Sequence, residues 1–308
     1  MDPETFLVEL YVLADEFCKT RLPPEASRPG PAAALARSEV LTLAVLGQWA
    51  RFGSERDFWR YVQTRLRPYF PQLPSRPQFN RHLRRQQAAL SGFALWLAAR
   101  LGAATAPYEA LDGTAVPTRN AKRRGRGWLP GVADIGKCLR RGWIAGLRLV
   151  VCVTPEGTVT GWGAGPASAS DRALAATLLA QRAQPAPALP SAGAVASSVY
   201  LTDSGFAGAA YEARLQRALH AQLVAPPQTG SGRRWSRAAR REVARRRQIV
   251  ETVIGRLDGA FRLERERPHA LGGFLARLAA KMALHNVCLW LNRQRAQPLL
   301  ALAALFGW

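Results

Sequence analysis

Tyr108-Glu109-Ala110-Leu111-Asp112-Gly113-Thr114-Ala115-Val116-Pro117 is where the chain changes texture. Upstream of it, apolar residues recur at helical spacing; downstream they come in short β-type runs bounded by Gly, Pro and small polar residues. The run itself predicts a strand carrying Leu111-Asp112-Gly113-Thr114 near its end. It also divides the chain into an all-helical region, residues 1–105, an α/β domain, residues 106–296, and a carboxyl-terminal tail, residues 297–308.

Working back from that boundary, Phe6, Leu7, Leu10, Tyr11, Ala14 and Phe17 predict a helix over 4–22, stopped by Pro23-Pro24. Ser38 is expected to cap a second helix bearing Val40, Leu41, Ala44, Val45 and Trp49. Ser54 with Asp57 resembles a capping box for a third. Ser75, with Pro77 tolerated in the first turn, is expected to open a fourth, longer helix buried through Phe79, Leu83, Leu90, Phe93 and Leu97. Arg81, Arg84 and Arg85 share one face of it, to be read as a solvated face or as a phosphate contact.

Working forward, a basic loop, Arg119 to Arg126, follows the strand. Trp143–Val153 and Thr158–Gly163 predict two more strands, joined through the turn Thr154-Pro155-Glu156-Gly157. Ala169–Arg182 is helical in pattern, and the Pro/Ala tract from Gln184 to Ser198 reads as a low-complexity surface loop. Val199–Thr202 is a short apolar strand ending at Asp203-Ser204-Gly205-Phe206. Residues 208–219 read as helix and His220–Ala225 as strand. A basic run from Arg233 to Arg247, with eight Arg against one Glu, then leads into Ile249-Val250-Glu251-Thr252-Val253-Ile254. A last helix, from about 271 to 293, is expected to cover one side of the sheet.

Charge narrows the function classes. The 308 residues hold 43 Lys and Arg against 21 Asp and Glu, a net charge of +22 that attracts polyanions. Arg outnumbers Lys heavily, as GC-rich codon usage dictates, but codon choice does not produce a twofold excess of positive charge. Nucleic acid is the expected partner. Cys18, Cys138, Cys152 and Cys288 have no CxxC spacing, and His82, His220, His269 and His285 form no HExxH motif, so a zinc site is not expected. The thiols read as buried groups of a reducing cytoplasm. The chain opens with acidic Asp2 and Glu4 instead of a basic region followed by an apolar one, and the longest uncharged run, Ala183–Thr202, contains Pro185, Pro187 and Pro190. Neither a secretory signal nor a membrane helix is expected, so the protein reads as soluble and cytoplasmic, and with nucleic acid as its partner as nucleoid-associated.

Three carboxylates stand out by context. Asp112 and Asp203 sit at the ends of predicted strands beside Gly, and Glu251 sits on a helix behind a concentrated positive field. Carboxylates so placed can hold two divalent ions roughly 3.5 to 4 Å apart at a phosphate undergoing displacement. Without metal their charges would repel and raise at least one pKa, and oxygen-only ligands favour Mg²⁺ or Mn²⁺. Plainer readings exist for the same residues. Asp203 before Gly205 is also a turn residue, Glu251 is also an i+4 partner for Arg247, Asp134 reads as a polar turn residue or as a fourth acid near the site, and Glu242 as a counter-ion inside the basic run. The run supplies Arg233, Arg234, Arg237, Arg240, Arg241, Arg245, Arg246 and Arg247 for backbone contact, with Trp235 to stack on an unpaired base; a solvated helix is the alternative. Arg119, Lys122, Arg123 and Arg124 would grip the same strand, or form a disordered basic loop.

Taken together these motifs resemble the bacterial insertion-sequence transposases with a DDE catalytic domain. The resemblance covers nearly the whole chain. It runs through Ser38-Glu39-Val40-Leu41-Thr42-Leu43, Leu73-Pro74-Ser75-Arg76 with Phe79-Asn80-Arg81, and Leu111-Asp112-Gly113-Thr114. It continues in Ala133-Asp134-Ile135-Gly136, Thr202-Asp203-Ser204-Gly205-Phe206, Ile249-Val250-Glu251-Thr252 and Gly273-Phe274-Leu275-Ala276-Arg277-Leu278. It implies an α/β catalytic domain of ribonuclease H-like fold, a mixed sheet flanked by helices, behind an all-helical amino-terminal domain that serves DNA binding or homodimer formation. It implies Asp112, Asp203 and Glu251 as ligands of two divalent ions, Mg²⁺ or Mn²⁺. It further implies hydrolysis at the terminal inverted repeats of an element and strand transfer into target DNA. Many relatives carry Tyr-x2-Arg-x3-Glu-x6-Lys around the last acid; here Arg247 and Glu251 match, whereas Ala244 and Asp258 stand at the Tyr and Lys positions. A same-fold nuclease without strand transfer, and a catalytically silent DNA-binding descendant of a transposase, are the alternatives.

Overall fold

The computed structural model describes residues 1–24, 33–50, 52–119, 122, 128–138, 141–184, 198–267 and 269–306. Arg123 and Arg124, and nearly all of the Pro/Ala tract, lie outside the described residues. The chain divides into two units, one formed by Met1–Leu97 with the chain from Gly272 onward, the other by the described residues between Ala98 and Leu271.

The first unit is helical: α1 (Pro3–Arg21), α2 (Arg37–Trp49), α3 (Glu55–Arg65), α4 (Arg76–Arg85), α5 (Gln87–Arg100) and α9 (Leu271–Gln294). Helix α1 starts where Asp2 accepts the Thr5 N–H at 2.9 Å, with Pro3 at the first position and Glu4 in the first turn; Lys19 and Arg21 lie in its last turn. Its buried face stacks Phe6 on Trp49 of α2 at 4.5 Å and sets Phe17 against Phe93 of α5 at 5.5 Å. Ser38 does not cap α2. The helix begins earlier, because Glu39 reaches back to the Ala36 N–H at 2.6 Å and relieves that orphan donor without a hydroxyl. Ser54 caps α3 as expected, its hydroxyl accepting the Asp57 N–H at 3.1 Å. The long fourth helix is two, since the Gln86 N–H is shared between the His82 and Leu83 carbonyls at 3.1 Å each, a tightened turn that redirects the chain. Helix α9 is buried almost all round. It sends Lys281 Nζ to Gln48 of α2 at 2.6 Å and Asn286 Nδ2 to the Ala94 carbonyl of α5 at 2.8 Å. It is the described helix long and apolar enough to span a membrane, but 83% of that window is buried, which is how a core helix reads.

The second unit is a mixed sheet flanked by helices: β1 (Glu109–Arg119), β2 (Asp134–Cys138), β3 (Gly142–Val153), β4 (Val159–Pro166), α6 (Asp171–Ala183), β5 (Val199–Leu201), α7 (Ala209–Leu219), β6 (Gln222–Val224) and α8 (Arg237–Asp258). The order is β2-β3-β1-β5-β6. Antiparallel β3 pairs with β2 through residues 142–146 and with β4 through 147–153, so β2 and β4 share one edge of it. Strands β1, β5 and β6 run parallel. Strand β2 is the element that sequence reading missed. Asp134 opens it instead of making a turn, and its carboxylate accepts the Ser168 N–H at 2.9 Å and the Ser168 hydroxyl. Gly136 permits that crossing, since a Cβ there would stand 2.0 Å from the Ala167 carbonyl oxygen.

Alternation along β1 sorts its residues between two faces. Leu111 joins Val150, Cys152, Leu178, Leu179, Phe206 and Leu215 in the core under α6 and α7. On the opposite face α8 packs on β1, β3 and β5, burying Val250, Val253, Ile254 and Leu257. Beneath α6, fully buried Glu109 accepts a fork from Arg182 at 2.8 and 3.0 Å, and the Arg182 guanidinium lies 5.7 Å from the Tyr200 ring.

Candidate active site

The parallel register of β1 and β5 brings two acids level. Ala110 pairs with Leu201, and Asp112 and Asp203 each lie two residues beyond that pair, Asp112 on the face of β1 that carries Ala110 and Asp203 just past the end of β5. The face is the one that α8 covers, and Glu251 is on α8. Asp112 responds to both neighbours. Burial pushes its carboxyl up to about 6, and the negative charges of Asp203 and Glu251 add to the rise, while Arg247 and a 2.8 Å bond from the Gly113 N–H oppose it. The rise expected from mutual repulsion is therefore present, but removal from water is its first cause.

Arg247 is the residue that joins the set. It is 9% exposed, donates through Nη2 to Asp112 Oδ2 at 2.9 Å and lies 3.5 Å through Nη1 from Glu251 Oε1. Its Nε–H is buried without an acceptor. The i+4 pairing between Arg247 and Glu251 thus exists, but it is half of a bridge whose other end is Asp112 on the sheet. Asp203 also keeps its turn role, its Oδ1 accepting the Gly205 N–H at 2.8 Å. Glu251 is the most accessible, with its side chain 58% exposed.

Oxygen donors alone, set around the partly buried Asp112 carboxyl, form the chemistry that a hard divalent cation satisfies. As the side chains stand, no three His, Cys, Asp or Glu among the described residues are grouped to hold an ion, and a guanidinium bridges two of the three acids.

A second layer, at the amino-terminal end of α6, was not foreseen. Ser170 caps the helix, accepting the Ala173 N–H at 3.2 Å, and thereby fixes the two residues that follow. Asp171 packs against the backbone beside Asp112, where a Cβ on Gly113 would come within 2.5 Å of Asp171 Oδ1. It pairs with Arg148 at 2.9 Å, and its carboxyl is raised by burial and by the charge of Asp203, with Arg148 opposing. Arg172 turns the other way: its Nε donates to the Gly205 carbonyl at 2.8 Å and its Nη2 to the Ala207 carbonyl, and Tyr211 donates back to the Arg172 carbonyl at 2.8 Å. Adjacent residues thus brace the Asp112 and Asp203 segments. Ser170-Asp171-Arg172 is visible in sequence as a helix start, but nothing local reveals what the side chains reach.

The basic residues separate into two groups. Arg233 pairs with Glu212 at 2.8 Å, and Arg245 and Arg246 share Glu242, whose carboxyl they hold down at about 2. Glu242 is the internal counter-ion that sequence reading expected. Arg246 also lies 5.5 Å from the Tyr108 ring. Arg234, Arg237, Arg240 and Arg241 are exposed, the last three along one face of α8, and Trp235 is half-buried just before it. Arg119 ends β1 half-buried, and Lys122 is exposed. Asp258 is buried and lies 3.5 Å from Arg141, in the turn ahead of β3.

A family model described as "Transposase DDE domain" matches residues 110–287, more than half of the chain. Comparison with curated proteins and with solved structures returned no match.

Proposed function

Because the chain belongs to the transposase DDE domain family, we propose that it is a DNA transposase that hydrolyses a phosphodiester at the ends of its element. The freed 3′ hydroxyl then attacks a phosphodiester of target DNA. The reading is carried by the Ala110–Leu201 pairing, two residues beyond which lie Asp112 and Asp203, and by the Arg247 bridge from Asp112 to Glu251 on α8. The path β4-β3-β1-β5-β6, antiparallel on one side of β1 and parallel on the other, supports a ribonuclease H-like domain. Divalent cations, Mg²⁺ or Mn²⁺ and two in the full reading, would be held by Asp112, Asp203 and Glu251 and would supply charge neutralisation at the phosphate and an activated oxygen nucleophile. The chain's own share is positioning. Asp112 is fixed by the Gly113 N–H, Asp203 by its turn and the Arg172 bonds, and Glu251 by α8. Arg234, Arg237, Arg240, Arg241 and Trp235 would lie along the DNA backbone and an unpaired base, with Arg119, Lys122, Arg123 and Arg124 on the same strand. The helices α1 to α5 would bind element DNA or pair two copies, and the protein would act in the bacterial cytoplasm.

The test is cleavage of DNA carrying the element's inverted repeats, with Mg²⁺, by wild type, Asp112→Asn and Glu251→Gln. Cleavage by wild type alone, followed by joining to a second DNA, is expected. Equal cleavage by all three would sink the assignment of the site; cleavage that never yields a joined product would reduce the reading to a nuclease.

A further inference from the structure

We propose that Arg247 is a resident stand-in cation of the acidic site: its guanidinium lies between Asp112 and Glu251 and must leave Asp112 before a divalent ion is held there. The inference rests on the reading of Asp112, Asp203 and Glu251 as the cation site.

The geometry is specific. One guanidinium spans a sheet residue and a helix residue, at 2.9 Å to Asp112 and 3.5 Å to Glu251, and is itself 9% exposed. An arginine there for phosphate contact alone would present its nitrogens outward; instead the two Nη atoms are turned to the acids and Nε is buried without an acceptor. The other arginines at this end of the basic run do not compete for the role, since Arg245 and Arg246 are taken up by Glu242. Without Arg247 the partly buried acid of β1 and the acid of α8 would face each other with no other cation between them among the described residues. Its presence lets the fold close before metal arrives. It also sets a threshold, because an ion that enters must outcompete a cation already tethered to α8. Arg247 is therefore a positioning residue: it acts on the cation site through the acids.

Mn²⁺ binding to the full-length protein, measured by calorimetry, tests this. Arg247→Gln should bind Mn²⁺ at least about fivefold more tightly than wild type, the lower edge of ordinary coupling between two groups that share a site. Asp112→Asn should bind it more weakly than wild type. A second measurement needs no variant. In wild type labelled at arginine nitrogen, the Arg247 guanidinium resonances should show hindered rotation without metal and free rotation after Mg²⁺ is added. Unchanged or weaker Mn²⁺ binding by a folded Arg247→Gln, or a guanidinium signal indifferent to Mg²⁺, overturns the proposal. If wild type binds Mn²⁺ and Asp112→Asn does not, while Arg247 has no influence, the cation site stands and the stand-in role falls. If no form binds Mn²⁺, both fall.

Discussion

Asp112 carries the largest electrostatic cost of the acids at the site. Its carboxyl is displaced upward from 3.8 to about 6, chiefly by burial. A carboxyl raised in the folded state contributes stability that is fully present below the unfolded value near 4 and is lost as pH rises through about 6. A rise of roughly two pH units, at about 1.4 kcal/mol each, amounts to on the order of 3 kcal/mol. Asp112→Asn cannot titrate, so in metal-free buffer its stability relative to wild type should grow by up to about 3 kcal/mol between pH 4 and pH 7. Urea unfolding of both proteins across that window measures it. A difference that stays constant with pH would mean that Asp112 is better solvated, or better paired with Arg247, than its burial indicates.

At the scale of elements, the site depends on three elements being held to one register. The strands β1 and β5 are locked by parallel pairing at Ala110 and Leu201, and α8 by its apolar stripe. The Asp203 turn has no such ladder and is held instead by Arg172 from α6 through the Gly205 and Ala207 carbonyls. Arg172→Gln should therefore leave DNA affinity unchanged while single-turnover cleavage falls about a hundredfold, the scale of a displacement of about 1 Å at a reacting centre. Arg172→Lys should recover part of the loss by reaching one carbonyl. Equal losses of affinity and cleavage would show that Arg172 touches DNA and does not act through the turn. The identity of α9's neighbours belongs to the same scale. A helix apolar all round announces a core, but periodicity does not say which one, and here the core is that of the helices.

Across the whole molecule, the charge of +22 predicts steep salt dependence of DNA binding, with about 0.9 of logarithmic slope for each phosphate neutralised. The basic run does not contribute uniformly, since Arg233, Arg245, Arg246 and Arg247 already face carboxylates. Replacing Arg237, Arg240 and Arg241 together by Ala should flatten the plot of log affinity against log salt by about 3. Replacing Arg233 and Arg245 should flatten it by less than about 1 in the same units, because these two already face Glu212 and Glu242 and so neutralise few phosphates. Fluorescence anisotropy on one duplex from 50 to 300 mM salt, a range set about physiological screening, distinguishes the two. Equal slopes for the two variants would mean that the internal pairs open on DNA.

Most of this fold is legible from local pattern. Helical spacing in the first hundred or so residues, β-type runs from Tyr108, and Gly beside Asp112 and Asp203 give the elements and single out the acids, because strand and helix periods are properties of neighbouring residues. The basic run ahead of Glu251 singles out the third acid, and motif resemblance adds the family. The tertiary structure decides what spacing cannot. Asp134 becomes a strand residue because Gly136 lets Ser168 cross it. Asp171 and Arg172 become braces because the start of α6 lies against both acid-bearing segments. Arg247, in sequence one arginine of eight, becomes a bridge between Asp112 and Glu251. Each depends on residues tens of positions apart meeting at one point, and a charge acquires its role only from what folding places beside it.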